Sequence, residues 1–249
     1  MIDQAPRNGS RIQQRVWDRR AGSWDEHGVV ALSSVIAAIL QHATVSNGSV
    51  VVDLGCGTGA LSLPLAARGA TVIAVDLSRV MVERLEAKAA TANLTTVTGT
   101  VAAVEHLELA PSSVDLVVSN YTLHHLRDAD KQAVVRGAAS WLRPGGRLVI
   151  GDMMFGRGAT SRDRSIIRSK VGVMVRRGPP GWWRLAKNVG RFTFRLQERP
   201  VSMDTWSRYL RAAGFAEVAV IPVVAESAVV VGTKPPIRQD APTLRHRIT

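Results

Sequence analysis

The stretch V-V-V-D-L-G-C-G-T-G-A, from Val50 to Ala60, decides the fold of this chain. Its three valines form the apolar β-branched run of a buried strand, and three alternate glycines follow the aspartate. Beyond Ala60 the apolar residues recur at helical spacing. A strand, a glycine turn and a helix in this order form the unit at which a parallel α/β sheet binds a nucleotide-like cofactor, because glycine lets a ligand approach the backbone and the helix start presents unpaired N–H groups.

Asp53 narrows the choice of cofactor. The spacing Gly55-x-Gly57-x-x-Ala60 also fits a loose dinucleotide-binding pattern. A carboxylate two residues before the first glycine would repel a pyrophosphate, whereas it suits a cationic group such as an ammonium beside a sulfonium. S-adenosylmethionine (SAM) carries both groups. An acid followed by G-x-G-x-G resembles the first motif of the class I SAM-dependent methyltransferases, and a purely structural glycine turn is the alternative.

Length and composition limit the fold classes and the cellular locations that fit this chain. The 249 residues allow one large domain with a substantial core. No apolar run reaches the roughly 18 residues of a membrane span, and residues 1–10 lack a secretory signal pattern. The one cysteine, Cys56, excludes an intramolecular disulfide, so we expect a reducing, cytoplasmic location. Cys56 has no evident base nearby, which favours a filler role, and no His, Cys and acid cluster predicts a metal site.

A second acid strengthens the cofactor assignment. Thr71–Val75 is a predicted strand, and Asp76 ends it 23 residues beyond Asp53, close to the ~20 residues expected before a ribose-binding carboxylate. A carboxylate there can accept hydrogen bonds from two hydroxyl groups. After the third strand, predicted over residues 95–99, the family usually places an acid that contacts the adenine. Thr100 and Val101 follow instead, so a backbone, hydroxyl or packing contact would replace it.

The acceptor is expected at the end of the fourth predicted strand, Val114–Ser119. The sequence N-Y-T-L-H-H-L that follows resembles the fourth motif of small-molecule methyltransferases and lacks the N-P-P-Y form of many amino-group methyltransferases. His124 and His125 are candidate bases near neutral pH, with a capping or packing role as the alternative. Asn120 and Tyr121 are placed to contact the cofactor or the acceptor.

Three further segments, before and after these motifs, also resemble the methyltransferase family. Residues 15–25, which include Trp17 and Trp24, resemble the N-terminal helix of small-molecule and quinone methyltransferases, a region that closes over the cofactor; a packed surface helix is the alternative. L-R-P-G-G-R-L-V-I, residues 142–150, resembles the third motif of the family, and residues 211–235 resemble its C-terminal end.

Residues 155–200 break the pattern of alternating strands and helices. They contain twelve basic residues against two acidic ones, which accounts for most of the formal charge of +12. Aromatic residues, including Trp182 and Trp183, are interspersed. Four interpretations stay open: a lid over an apolar or anionic acceptor, an interfacial helix on anionic lipid, a surface that follows a phosphate backbone, or a solvated cap with buried tryptophans.

Taken together, the motifs imply an α/β fold with a doubly wound, seven-stranded, mostly parallel sheet and an antiparallel last strand. We expect an N-terminal helical segment over 1–47, a methyltransferase domain over 48–235 with a basic cap at 155–200, and a disordered tail over 236–249. The implied function is SAM-dependent methyl transfer to a small, phenolic or quinone-like acceptor. A lipid substrate, with the protein peripheral to the inner face of a membrane, and a basic SAM- or nucleic-acid-binding scaffold without turnover are the alternatives.

The resemblance also implies two sets of residues. The cofactor-binding set is Asp53, Gly55, Cys56, Gly57, Gly59, Asp76, Leu77, Thr100, Val101 and Asn120. The acceptor-binding set is Trp17, Trp24, Tyr121, Trp182 and Trp183, and His124 and His125 are the catalytic candidates.

Overall fold

The computed structural model describes residues 30–156, 199–224 and 226–236, together with positions 14, 15, 18, 161, 163–165, 168, 171 and 172. Seven strands form one sheet: β1 (Val50–Leu54), β2 (Thr71–Asp76), β3 (Val97–Val101), β4 (Val114–Asn120), β5 (Leu142–Met153), β6 (Ala216–Val224) and β7 (Ser227–Thr233). The helices around it are α1 (Val30–His42), α2 (Ser62–Ala67), α3 (Arg79–Thr91), α4 (Asp128–Trp141) and α5 (Met203–Ala212), with 3-10 turns at Val104–His106 and Leu123–His125.

The strand order across the sheet is β3-β2-β1-β4-β5-β7-β6. The strands β3, β2, β1, β4 and β5 pair in parallel, and β7 lies antiparallel between β5 and β6. This arrangement confirms the predicted mostly parallel sheet with an antiparallel last strand. Because β1, β2, β4 and β5 run in the same direction, the residues that end them meet along one edge.

Helices cover both faces of the sheet, because the central strands are apolar on both sides. On one face, α1, α2 and α3 pack on alternate strand residues, with Val35 and Leu85 among the buried contacts. On the other face, α4 and α5 pack on the intervening strand residues, with Val134 and Trp206 in the core. Each fully buried aliphatic or aromatic side chain contributes about 1.5–3 kcal/mol relative to an exposed one. The apolar runs quoted above therefore form the middle layer of three.

Serine side chains cap the starts of two helices. The Ser78 hydroxyl accepts a hydrogen bond from the Met81 N–H at the start of α3, and Ser202 accepts one from the Thr205 N–H at the start of α5. Gly214 follows α5 with a φ of +89°, which is the left-handed conformation that ends helices.

The third strand differs from the prediction at both ends. It begins at Val97, so Thr100 and Val101 are its last two residues and not the turn beyond it. The fifth strand begins at Leu142, ahead of its Pro-Gly sequence, because Leu142 pairs with Val114 across a register shift. No helix among the described residues combines the length and the apolar character that crossing a membrane would need.

Candidate functional site

The glycine turn folds back over the end of β2. The N–H groups of Gly55 and Cys56 both donate to the Val75 carbonyl oxygen, at 2.7 and 3.0 Å. Gly55 has a φ of +73°, and a Cβ at this position would lie 2.1–2.6 Å from side-chain atoms of Thr122. Only glycine fits here, because any side chain would be strained and would collide with the residue that follows β4.

Asp53 occupies a buried position at the start of this turn. The residue is 1% exposed, and its Oδ2 accepts a hydrogen bond from the Ser62 hydroxyl at 2.6 Å. Burial raises the pKa of Asp53 from 3.8 to about 7; the Ser62 hydrogen bond offsets part of this shift, and the charge of Asp76 adds to it. A carboxyl group in such a position gains from a nearby cation, which would favour its ionised form.

Asp76 ends β2 and binds the turn from the other side. Its Oδ2 accepts from the Gly57 N–H at 2.9 Å and its Oδ1 from the Ser78 N–H at 2.8 Å. Burial raises the pKa of Asp76, while these backbone hydrogen bonds act to lower it. A carboxylate can accept about four hydrogen bonds, so lone pairs remain for ligand hydroxyls.

Asp18 brings the N-terminal part of the chain to the same edge of the sheet. Its carboxylate accepts a hydrogen bond from the Ser78 hydroxyl at 2.5 Å, beside Asp76. Sequence reasoning placed aromatic residues of this segment near the site and gave no role to Asp18. The neighbouring Trp17 lies outside the described residues, as does Trp24.

The adenine-side candidates lie at the adjoining strand end. Val101 is the register partner of Asp76, and the Ala102 N–H donates to the Asp76 carbonyl oxygen at 2.9 Å. Thr100 and Leu77 flank this pair and are partly exposed. The structure therefore brings three of the predicted cofactor-binding residues, Leu77, Thr100 and Val101, to the edge that holds both acids.

Asn120 ends β4 and carries a buried acceptor. Its Oδ1 accepts no hydrogen bond from any residue that the structure describes. A buried polar atom left unsatisfied costs about 1–3 kcal/mol, so the position fits a polar ligand group. The acids Asp53 and Asp76, a bare glycine turn and this acceptor at adjoining strand ends match the cationic, hydroxyl-bearing chemistry of SAM.

His124 lies beside these residues in the 3-10 turn after β4. Its ring Nδ1 is 2.5 Å from Asp152 Oδ1, and its backbone N–H donates to Asp152 Oδ2 at 2.9 Å. Both residues are buried, with exposed fractions of 4% and 0%. Sequence reasoning gave Asp152 no role. The available signal was its place near the end of a parallel strand, which it shares with Asp53 and Asp76.

An aromatic group adjoins His124. The Tyr121 ring meets the His124 ring edge to face, with centroids 6.1 Å apart, and the Tyr121 hydroxyl is hydrogen-bonded to Ser227. Met153 and Phe155 are buried against Tyr121. The His125 ring lies 3.9 Å from the His124 ring between centroids. The ends of β4 and β5 therefore carry a histidine next to a largely apolar surface.

Arg199 contacts this turn directly. The Arg199 N–H donates to the His124 carbonyl oxygen at 2.6 Å. Lys131, which is 0% exposed, donates from Nζ to the carbonyl oxygens of Arg199 and Leu126, at 2.7 and 2.8 Å, and to the Asp128 carboxylate at 3.2 Å. The position of the turn is thus tied to the main chain of Arg199 and, through it, to Lys131.

The other predicted site residues are two tryptophans, a glycine and a cysteine. Trp182 and Trp183 lie outside the described residues. Gly59 has a φ of +96° at the end of the turn. Cys56 is buried with its thiol 3.6 Å from the Gly57 carbonyl oxygen, and burial raises the pKa of Cys56 well above its usual value, so the thiol is held in its neutral form.

Within the part of the chain that the structure describes, no cluster of three or more His, Cys and acidic side chains could hold a metal ion.

Comparison with known proteins agrees with the fold and the cofactor edge. The family described as "Methyltransferase domain" matches residues 51–146. An uncharacterized methyltransferase of Geobacillus sp. (strain WCH70) is 28% identical over 179 residues, covering 71% of this chain and 74% of that protein. The carboxy-S-adenosyl-L-methionine synthase of Yersinia pestis (strain Pestoides F) is 33% identical over 133 residues, 51% of this chain and 49% of that protein. The chain thus spans about half the length of that synthase.

A solved structure extends the likeness over most of the fold. Magnesium protoporphyrin IX methyltransferase (ChlM) from Synechocystis PCC 6803, with bound SAM, superposes with a TM-score of 0.61 at 18% identity, covering 93% of this chain and 99% of that one. At this identity the likeness concerns the fold alone. The matched domain starts within β1 and ends within β5, so it contains both acids and the histidine turn. Residues 51–146 therefore match the methyltransferase domain family, and the chain resembles SAM-dependent methyltransferases in its fold.

Proposed function

We propose that this protein transfers the methyl group of SAM to an oxygen atom of a small acceptor of phenolic or quinone-like character. The observation that carries the proposal is the buried contact between His124 and Asp152, next to the edge that holds Asp53 and Asp76. A histidine paired with a carboxylate is suited to remove a proton from a hydroxyl group. The surface formed by Tyr121 with Met153 and Phe155 suits a flat, apolar acceptor.

The cofactor roles follow from the contacts around the glycine turn. Asp53 would face the cationic methionine part, and Asp76 would accept hydrogen bonds from the ribose hydroxyls. The Asn120 amide would take a donor such as the ammonium group, because its buried Oδ1 has no partner among the described residues. Leu77, Thr100 and Val101 would line the adenine. When bound, SAM supplies an electrophilic methyl group, and this chain supplies position, exclusion of water and a proton acceptor.

The domain division is part of the same proposal. Residues 48–235 would form the methyltransferase domain, and the basic segment 155–200 would cover the acceptor. Its charge allows two other acceptor sources, an anionic lipid delivered at a membrane surface or a nucleic acid. The small acceptor is favoured because Tyr121, whose ring contacts His124, packs against the apolar residues Met153 and Phe155.

Binding of S-adenosylhomocysteine to wild-type protein and to Asp76→Ala, measured by calorimetry, tests the cofactor site. Loss of charge-assisted hydrogen bonds to two hydroxyls should weaken binding by about 3 kcal/mol, a factor of roughly 100. Asp130→Ala, which removes an acid on α4 paired with exposed Arg127, is the matched control and should bind normally. Equal affinity of Asp76→Ala and wild type would remove the ribose assignment.

A methyl-donor assay with labelled SAM tests the acceptor class. The panel consists of phenols, quinols, amines, anionic lipid vesicles and tRNA. We expect transfer to a phenol or quinol and little to the amines. Transfer only to vesicle lipid or tRNA would replace the small acceptor by one of the two alternatives, and binding of SAM with no transfer at all would favour a scaffold without turnover.

A further inference from the structure

We propose that Asp152 is a positioning residue, which holds His124 in the tautomer with its proton on Nδ1 and so leaves Nε2 to receive the proton of the acceptor. This inference rests on the proposed function, because it assigns the geometry by which His124 would act as a base. Asp152 would not touch the acceptor or the cofactor; it would act through the histidine.

The hydrogen bonds of Asp152 fix the direction of the proton. Its Oδ2 accepts from the His124 backbone N–H at 2.9 Å, and its Oδ1 accepts from the Met153 N–H at 2.7 Å. The His124 Nδ1 lies 2.5 Å from the same Oδ1. Since an ionised carboxylate only accepts hydrogen bonds, the proton between the two side chains is assigned to Nδ1. The neutral ring then has its lone pair on Nε2.

A single carboxylate also sets the place of the histidine. One oxygen binds the ring and the other binds the main chain of the same residue, so a rotation of the ring or a shift of the turn would break a buried hydrogen bond. The Arg199 N–H also donates to the His124 carbonyl oxygen at 2.6 Å. Such support reduces the reorganisation that a base needs before it can act.

The geometry points to an acceptor whose reacting atom carries a removable proton. An acceptor hydroxyl would give its proton to His124 Nε2 as its oxygen takes the methyl group. SAM, when bound, would supply that methyl group and would keep the electron pair of the broken carbon–sulfur bond on its sulfur. The positive imidazolium that results lies next to the buried Asp152 carboxylate, which stabilises it.

Nitrogen-15 NMR of the histidine rings tests the tautomer without any acceptor. Signals of His124 are identified by their loss in His124→Gln, and His125→Gln serves as the matched control that leaves them in place. We expect Nδ1–H in the wild-type protein and a shift toward Nε2–H, or a mixture, in Asp152→Asn. A wild-type ring protonated on Nε2, or no change in Asp152→Asn, would overturn the proposal. If Asp152→Asn does not fold, the wild-type tautomer decides.

Turnover of the best acceptor from the panel supplies a second readout. Asp152→Asn should lower kcat about 100-fold or more, with the dissociation constant of S-adenosylhomocysteine changed less than about threefold. Because Asp152 acts through His124, the double variant should be no slower than His124→Gln alone. If the two substitutions lower kcat multiplicatively in the double variant, the inference is overturned. Absence of any methylated acceptor would count against the proposed function, whereas the NMR result would still decide the role of Asp152.

Discussion

The protonation of Asp53 should make SAM affinity depend on pH. Asp53 is buried and its pKa is about 7 in the protein without ligand, whereas a bound cation would stabilise the ionised carboxylate. Below pH 7 the proton must leave before the ligand can gain from this charge. Each pH unit below the pKa then costs about 1.4 kcal/mol, so affinity at pH 5 should be about 100-fold weaker than the limit above pH 7. The α-amino group of the ligand stays largely protonated over this range.

Titration calorimetry at pH 5, 6 and 7, in buffers of different ionisation enthalpy, measures both the affinity and the protons released. Wild-type protein should release close to one proton per SAM at pH 5. Asp53→Asn should bind more weakly at pH 7, and its affinity should be nearly constant from pH 5 to 7. S-adenosylhomocysteine, which lacks the positive sulfur, should show a smaller dependence in the wild-type protein.

Two results would refute this reasoning. A wild-type affinity that does not change between pH 5 and 7 would show that Asp53 does not lose a proton when SAM binds. A pH dependence that persists in Asp53→Asn would assign the proton to another group, of which Asp76 is the nearest candidate because burial raises its pKa as well.

Asp53 should also make the stability of the fold depend on pH. Its pKa in the folded protein is about 7, above the ordinary value of 3.8. Between pH 4 and pH 7 the folded protein therefore holds a proton that the unfolded chain has lost. Its free energy of unfolding should therefore fall by up to about 4 kcal/mol as the pH rises from 4 to 7, and urea denaturation should show no such loss in Asp53→Asn. Gly55→Ala should destabilise more than Gly145→Ala, because the new Cβ meets Thr122 at 2.1 Å whereas nothing lies within 4 Å at Gly145; the latter, at a φ of +82°, should cost only about 1–2 kcal/mol, and equal losses would contradict the clash. Lys131→Met should cost about 2–4 kcal/mol in urea denaturation, because two buried carbonyl oxygens lose their donor; unchanged stability would show that water replaces the ammonium group.

The sheet and the cofactor edge could be predicted because their signals are local. Apolar runs ending in Asp53 and Asp76 mark two parallel strand ends, and parallel strands place such residues on one edge. The caps at Ser78 and Ser202 are likewise local, since each hydroxyl binds an N–H three residues on. The start of β5 has no such local signal, because its Pro-Gly sequence has the composition of a turn, yet Leu142 pairs with Val114 of β4 across a register shift.

The His124–Asp152 pair could not be predicted, because it depends on a contact between residues 28 apart. Pairing of Asn120 with Gly151 sets the register of β4 and β5, and a 3-10 turn then brings His124 back toward Asp152. The high pKa of Asp53 was equally out of reach, since it depends on the depth of burial and on the neighbouring Asp76. A sequence pattern shows which residues follow one another, but it does not show how deeply each side chain is buried.

Main-chain anchoring at Arg199 separates the position of the histidine from the identity of the side chain at position 199. The Arg199 N–H donates to the His124 carbonyl oxygen, and the Arg199 carbonyl oxygen accepts from Lys131. Main-chain contacts of this kind do not depend on the side chain at position 199. This position should therefore tolerate substitution during evolution without a shift of His124.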